Sequence, residues 1–456
     1  MNAYIDICPL VCRVGRTTTF RLSTYSDMRR PASGSRIGVS VNRVNDFREH
    51  RDYSLVVSAD GEIEFGFEAA HPGEYIVSVY RDGSGWSTDT DSRVSFYAVP
   101  DELAGLLPYR GDLHMHSTYS DGTRSVEYMV ARGREAGLDF MALTDHRVFS
   151  ASVEAEEWSR DVGAPMAIIR GEEVNFPLGI GHIVALDTDR PVSDRFDMHE
   201  TDSPKSTSEA QRQVGLMVDQ MRPLYGKDVD AIELGDAVDR DLFLWSYGVA
   251  QEIRAAGGLP VIAHPYWRSR GVLDLVASTY DAILEHDVFD AVEVINGSGV
   301  EGMMLALAKA VEHGWLEGHM PAFLGSSDAH RPESLGSRCT IAFAPELSVA
   351  AILDAIRRNR TVACAVGALP APVIVGSYPL VEYAYFLARE FFPLHDDLCA
   401  SQGALYKVNA PDSRTGASRP TTDGVQPTTG AALETTGLAD RIQARIDAVY
   451  RDRFTF

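Results

Sequence analysis

Cysteine is scarce in this chain and long apolar runs are absent. Five cysteines (Cys8, Cys12, Cys339, Cys364 and Cys399) are scattered over 456 residues. A small, odd and dispersed set argues for reduced thiols rather than a disulfide framework. No stretch approaches the roughly 18–20 apolar residues that span a bilayer. The N-terminus, MNAYIDICPLVCRVGR, carries Asp6 where a signal peptide would carry basic residues. The expectation is a soluble, cytoplasmic protein with no membrane partner. Positive charge is the third shortage: 42 Lys and Arg face 65 Asp and Glu, a formal net charge of −23. So acidic a surface repels nucleic acid over long range, which leaves a small anionic molecule, held locally by cations, as the expected partner. Glycine-rich nucleotide loops are missing, and Gly325-Ser326-Ser327-Asp328 is not the G-x-S-x-G elbow of a serine hydrolase.

What is present is a globular composition, 45% apolar and 23% charged, long enough for two or three domains at roughly 150 residues each. Residues 1–105 alternate apolar and polar positions in TTTFRLSTY, RIGVSVNRV, YSLVVSA, EIEFGFEA and EYIVSVYR, with turn signals between them. That pattern predicts an antiparallel β-sandwich. From Arg110 short apolar strands alternate with amphipathic helices, which predicts parallel α/β structure over residues 106–370. The strand candidates are Gly111–His116, Phe140–Thr144, Met166–Glu173, His182–Leu186, Leu259–Ala263, Ala291–Ile295, Ala322–Gly325 and Cys339–Phe343. Helices are expected over SVEYMVARGREAG, with Ser125 as N-cap, over WSYGVAQEIRAAGG, over EGMMLALAKAVEHG up to Gly314, and over SVAAILDAIRRN covering the last strand. Residues 188–245 read as an acidic insertion suited to a lid. Residues 371–408 read as a helical extension, and 409–456 as a flexible linker followed by a terminal helix.

Six histidines lie at or just beyond the C-terminal ends of the expected strands: His114, His116, His146, His182, His264 and His330. Asp112, Asp121, Asp145, Glu173, Glu293 and Asp328 accompany them. In a parallel barrel such positions converge on one face. A lone buried histidine is ordinarily a satisfied core residue, but six at equivalent places need partners, and divalent cations are the economical ones. His114-x-His116 puts both rings on one side of an extended strand; Asp328-x-His330 does so only if its strand runs past Ser326. Imidazole with carboxylate and no cysteine favours zinc, manganese or iron over calcium or a closed structural zinc site. The donors exceed one tetrahedral shell, so two or three ions are expected.

GDLHMHSTYSDG, LTDH, RGEEV, GHIVAL, AHP and GSSDAH, in that order, resemble the successive motifs of the polymerase-and-histidinol-phosphatase (PHP) domain over roughly residues 110–365. The resemblance implies a distorted (β/α)7 barrel of α/β class that binds up to three metals and hydrolyses phosphate esters. It further implies His114, His116, Glu173 and Asp328 around one metal, Glu173 bridging to a second with His182 and His264, and Asp121, His146 and His330 around a third. The family's Gly-x-Glu motif selects Glu173 over Glu172. Asp145 is expected to orient its neighbour, as are Asp112 and Glu293. The N-terminal β-rich region resembles a branch that includes aryl-carbamate hydrolases.

The resulting expectation is a metal-dependent hydrolase acting on a small phosphorylated metabolite or nucleotide through a metal-activated water. Glu173 would set the metal spacing, Asp328 or His330 would shuttle protons, and Asp145 would support them. Arg147, Arg268, Arg270 and Arg331 follow the motifs and are candidates for holding a phosphate; Tyr266 and Trp267 beside them suit stacking or plain packing. A carbamate hydrolase, a nuclease acting on nucleic-acid ends and a non-catalytic metal-binding module are the alternatives.

Overall fold

The computed structural model describes residues 5–24, 31–81, 93–176, 180–196, 207–269, 272–273, 277–297, 299–317, 320–367, 371–408, 410 and 429–456. Two compact units emerge, one from residues 1–107, 378–398 and 441–456, the other from 108–377 and 399–440.

The first unit opens with β1 (Ile5–Cys8), β2 (Val11–Arg13), β3 (Thr17–Thr24), β4 (Arg36–Arg43), β5 (Asp46–Val56), β6 (Ile63–Glu68), β7 (Gly73–Arg81) and β8 (Arg93–Val99). They form a three-stranded sheet, β1-β3-β6, and a five-stranded sheet, β2-β8-β7-β4-β5. All pairs are antiparallel except β2 with β8. Alternation sets the faces: Ile63, Phe65 and Phe67 of β6 are buried while Glu64 and Glu68 face water. Phe20 of β3 meets Phe96 of β8 at 4.2 Å between ring centroids, and Phe67 meets Tyr75 of β7 at 5.4 Å. Aromatic side chains from both sheets therefore share one core.

The second unit continues with β9 (Leu107–Asp112), α1 (Val126–Glu135), β10 (Phe140–Ala142), α2 (Ser150–Asp161), β11 (Ala167–Ile169), β12 (Gly171–Phe176) and β13 (Ile180–Leu186). Helices α3 (Thr207–Asp230) and α4 (Arg240–Ala255) follow, then β14 (Leu259–Ile262), the short pair β15 (Arg268–Ser269) and β16 (Val272–Leu273), and α5 (Ala277–Glu285). β17 (Ala291–Ile295), α6 (Gly299–Glu317), β18 (Ala322–Gly325), β19 (Arg338–Ala344), α7 (Val349–Arg357), β20 (Thr361–Ala365) and β21 (Val373–Val375) complete its sheets. The chain ends in α8 (Tyr378–Glu390), α9 (Phe392–Lys407) and α10 (Thr429–Arg453). Local chemistry explains the boundaries. Ser125 caps α1 by accepting from the Tyr128 N–H, and Gly137 takes φ +84° just beyond its end. Asp239 caps α4 and Ser348 caps α7 in the same way.

The unit is mixed rather than parallel. One sheet runs β11-β10-β9-β19-β20-β21 and the other β12-β13-β14-β17-β18. β10 pairs in parallel with β9 and β11, as do β14 with β17 and β17 with β18. β13, however, is antiparallel to both β12 and β14, and β20 is antiparallel to β19 and β21. Too few residues separate β12 from β13 for the crossover that parallel pairing needs. The expected single strand Met166–Glu173 breaks at Arg170, where the chain passes from one sheet to the other. Among the described residues no ladder joins the two sheets into a closed barrel. Hydroxyls stitch the seam beside β18 instead: Thr340 Oγ1 donates to the Gly325 carbonyl at 2.9 Å and accepts its N–H at 3.0 Å, and Thr361 Oγ1 donates to the Phe323 carbonyl at 3.1 Å.

Other expectations shift as well. α6 passes through Gly314 to Glu317, and the strand under α7 is followed by β20 and β21. The expected linker falls largely on 409 and 411–428, outside the described residues, and α10 already begins at Thr429. The C-terminal segments return to both units: in the first, Tyr383 and Phe386 of α8 pack on Tyr97, and Arg453 holds Asp6 with bonds of 2.6 and 2.8 Å. No helix among the described residues is long and apolar enough to cross a membrane.

Candidate metal centre

Beyond β9 the chain stays extended, with the Thr144 N–H donating to the Met115 carbonyl at 2.8 Å and the His116 N–H to the Ala329 carbonyl at 3.0 Å. Period-two alternation then sends Met115 into the apolar core and turns His114 and His116 to the opposite side. On β12 the same rule separates Glu173 from Glu172. The Glu172 carboxylate accepts the Val192 and Ser193 N–H groups, while Glu173 and Asn175 share the other face. His182 projects from β13, and His264 follows β14 in a left-handed turn with φ +23°. Asp328 also sits at positive φ, +52°. β18 ends at Gly325, so a turn rather than a continued strand carries Asp328 and His330.

These side chains converge on one carboxylate. Glu173 Oε1 lies 2.6 Å from His182 Nδ1 and 3.3 Å from His264 Nε2. Its Oε2 lies 3.0 Å from His114 Nε2, 3.0 Å from His146 Nδ1 and 3.3 Å from His116 Nε2. Asp328 lies beside the same rings, 3.1 Å from His116 and 3.5 Å from His114. Asp121 forms the outer edge, 3.2 Å from His330 Nε2 and 3.8 Å from both His146 Nε2 and His116 Nδ1. All nine residues expected to ligate metal are thus drawn into one cluster. Four sets have donor atoms close enough to share an ion: His116–Asp121–His146–His330, His114–His264–Asp328, His114–His116–Glu173 and His146–Glu173–His182.

The donor set fits divalent cations. His114 Nε2 and Glu173 Oε2 face each other while sealed from solvent, and neither has a hydrogen-bond partner. Orphaned buried polar atoms are costly, and a cation between them satisfies both. Nitrogen and carboxylate donors without thiolate suit zinc, manganese or iron.

A second layer of acids holds these side chains. Glu293 accepts from His114 Nδ1 at 3.0 Å and from the His264 N–H at 3.0 Å, which aims His114 Nε2 at the centre. Asp145 accepts the Ser117 and Ser120 N–H groups at 2.8 and 3.0 Å and both hydroxyls at 2.9 and 2.7 Å. It fastens the loop after His116 and offers no free oxygen to an ion. Asp112 accepts the Ser327 N–H at 2.9 Å, and burial pushes its carboxyl up to about 7. Sequence reading passes over Asn175, whose amide stands between His146 Nδ1 at 3.0 Å and His182 Nε2 at 2.9 Å. Its one sequence signal is its place two residues beyond Glu173.

The electrostatics are those of an acidic well. Burial opposes charge on His114, yet Glu173, Glu293 and Asp328 outweigh it and hold its proton well above the usual range. Burial likewise opposes charge on Glu173 and Asp328, but the surrounding imidazoles keep both carboxylates far below theirs. His330, paired with Asp121 against its own burial, is raised to about 9, and Asp121 is lowered to about 2. His116 goes the other way, because burial dominates.

The arginines stand apart from one another. Arg147 turns at φ +56°, its N–H donates to the Glu173 carbonyl at 2.9 Å and its guanidinium reaches the Asn175 carbonyl. Arg268 is exposed and bound to Glu301 at 2.9 Å, Arg331 is exposed, and Arg270 lies outside the described residues. Tyr266 is buried and packs edge-on against Tyr280. Trp267 leans on the metal centre, 5.5 Å from the His264 ring and 5.7 Å from His182. It walls a cleft with Arg268, Gly297 and Glu301. A Cβ on Gly297 would come 3.6 Å from Asp328 Oδ2.

Comparison with known proteins agrees on the domain. The family model of the PHP domain matches residues 112–230, and that of the PHP-associated region matches residues 319–361. The chain is 41% identical over 58 residues to the DNA polymerase/3'-5' exonuclease PolX of Bacillus subtilis, covering 13% of this chain and 10% of that protein. It is 32% identical over 131 residues to a 5'-3' exoribonuclease of Haemophilus influenzae, covering 28% and 39%. The chain thus spans a tenth and about two fifths of the lengths of these curated relatives. Among solved structures, a two-domain protein of Bacteroides vulgatus containing a predicted PHP-like metal-dependent phosphoesterase aligns with a TM-score of 0.38 at 20% identity, covering 57% of this chain and 65% of that one.

Proposed function

Because this chain carries a PHP domain, we propose that it is a metal-dependent hydrolase of small phosphate esters. The observation that carries the reading is the crowding of five imidazole nitrogens within 2.6–3.3 Å of the single buried carboxylate of Glu173. We also read the second unit as a distorted barrel of the PHP type and the first as a β-sandwich.

His114, His116, Glu173 and Asp328 would hold one ion, Glu173 with His182 and His264 a second, and Asp121, His146 and His330 an outer one. Two or three bound cations would supply a water acidified to a pKa of about 7 and positive charge opposite the developing negative charge. The chain's own groups do the rest. Glu173 bridges the ring sets and fixes their spacing. Glu293 and Asp145 hold His114 and the 117–120 loop in place. Asp328 and His330, 3.7 Å apart and 16% and 37% exposed, face the approach side, where a proton can be held or passed to a leaving group. Arg147, whose N–H donates to the Glu173 carbonyl, is the candidate arginine tied to the strand of the carboxylate node and would meet a phosphate oxygen; Arg268 and Arg331 would reach only a larger substrate. The curated relatives are named for exonuclease activities, chemistry on phosphate esters, and the net charge of −23 favours a small substrate over a long nucleic acid.

The test compares an aryl phosphate with an aryl carbamate, using metal-loaded and metal-stripped protein. Release of phosphate by the loaded form alone, abolished in Asp328→Ala and His116→Ala with the circular dichroism spectrum retained, is the expected result. Full turnover by stripped protein would sink the proposal, and turnover of the carbamate alone would replace it with amide-type hydrolysis.

A further inference from the structure

We propose that Asn175 is a selector that lets only one of His146 and His182 present a metal-binding nitrogen at a time, so that the chain holds two divalent cations tightly and a third weakly. The inference rests on the metal-centre reading above and extends it to the ion count.

Asn175 is buried, and its side-chain amide has one accepting end and one donating end. Those ends meet His146 Nδ1 at 3.0 Å and His182 Nε2 at 2.9 Å. Which end faces which ring does not matter to the outcome, because a neutral imidazole has one N–H and one lone pair. With the amide oxygen towards His146, that ring carries its proton on Nδ1, and its Nε2 lone pair faces Asp121 among the outer donors. His182 then accepts the amide N–H on Nε2, so its own proton sits on Nδ1 and is donated to Glu173 Oε1, 2.6 Å away. No lone pair on His182 is left for an ion shared with Glu173 and His264.

Exchanging the ends reverses the result. His182 donates from Nε2 and frees Nδ1 beside Glu173, while His146 accepts on Nδ1 and turns a proton towards Asp121. Forcing both rings into the ligating form would turn two N–H groups on one amide that can accept only one of them; the other meets the amide's own N–H, even where Glu173 Oε2, 3.0 Å from His146 Nδ1, shares that ring's proton. Mispairing in the layer behind a metal ligand typically weakens affinity by roughly 10- to 100-fold. A carboxylate at this position would accept from both rings and remove the conflict, which makes Asn175→Asp the diagnostic change.

The experiment titrates metal-stripped full-length protein with Mn2+, a cation that prefers nitrogen and oxygen donors to thiols, and counts free ion by electron paramagnetic resonance. Two tight equivalents and a third weaker by about 10- to 100-fold are expected for the natural chain. Asn175→Asp should take up three of similar affinity, and His182→Ala should take up two with no weak third. Three equal equivalents in the natural chain, or an unchanged gap in Asn175→Asp, would overturn the selector and leave the metal reading standing. No uptake at all would overturn both. The natural chain alone decides the matter if Asn175→Asp does not fold.

Discussion

A histidine that binds metal is only as good as the group behind its other nitrogen, and Glu293 illustrates this. Its carboxylate takes the His114 ring proton and the His264 backbone N–H together, so it fixes two ligands at once. Glu293→Gln keeps the shape but offers an N–H where an acceptor is needed. Metal affinity should fall by roughly 10- to 100-fold, with little change in the circular dichroism spectrum; calorimetric titration with Mn2+ measures it. At this scale the sequence was informative where position carried chemistry. His114, His116, Glu173 and Asp328 could be singled out because imidazoles and acids rarely gather at strand ends without a reason, and the resemblance to the family's Gly-x-Glu motif chose Glu173 over Glu172. Asn175 could not be found that way, because an amide is as common on a strand face or in a turn as beside a ligand. Arg268 marks a limit of another kind: proximity in sequence to a motif does not reveal its exposed ion pair with Glu301.

Elements were legible where periodicity and caps agreed, as for α1 between Ser125 and Gly137. Strand direction was not, because alternation reports which face is buried but not which neighbour supplies the hydrogen bonds. β13 reads like its parallel neighbours in composition, and only its short connection to β12 forces it to run back. β20 and β21 escaped notice because TVACA and VIV are too short to show a period. The seam beside β18 is where this scale makes its own prediction. Thr340→Val removes the hydroxyl that serves both the N–H and the carbonyl of Gly325. A buried N–H left without a partner costs about 1–3 kcal/mol, so urea unfolding should show a loss of that size, whereas Thr340→Ser should recover most of it.

For the molecule as a whole, ligation and folding are linked. A chain whose centre is an acidic well with imidazoles packed against it gains stability from any cation that binds only the folded form. At a free concentration one hundred times Kd, a single bound ion adds about 2.7 kcal/mol. Scanning calorimetry should therefore place the transition of loaded protein above that of stripped protein, and a chelator should reverse the shift. The charge imbalance was legible from composition alone, and it bears on partners rather than on fold. The division into two units was harder to foresee, since segments nearly three hundred residues apart in sequence, such as β8 and α8, contribute to the same one.

The node at Glu173 has a last consequence. Five rings depend on one acid, whereas each ring depends on the acid alone for only part of its environment, so damage to this centre is lopsided. Losing any spoke leaves the wheel, but losing the hub takes from five bases the one acid they share, and leaves them only the acids at the edge. A substitution there would yield a sick protein rather than a merely silent one, and a clean inactive form for trapping substrate has to be made at the rim.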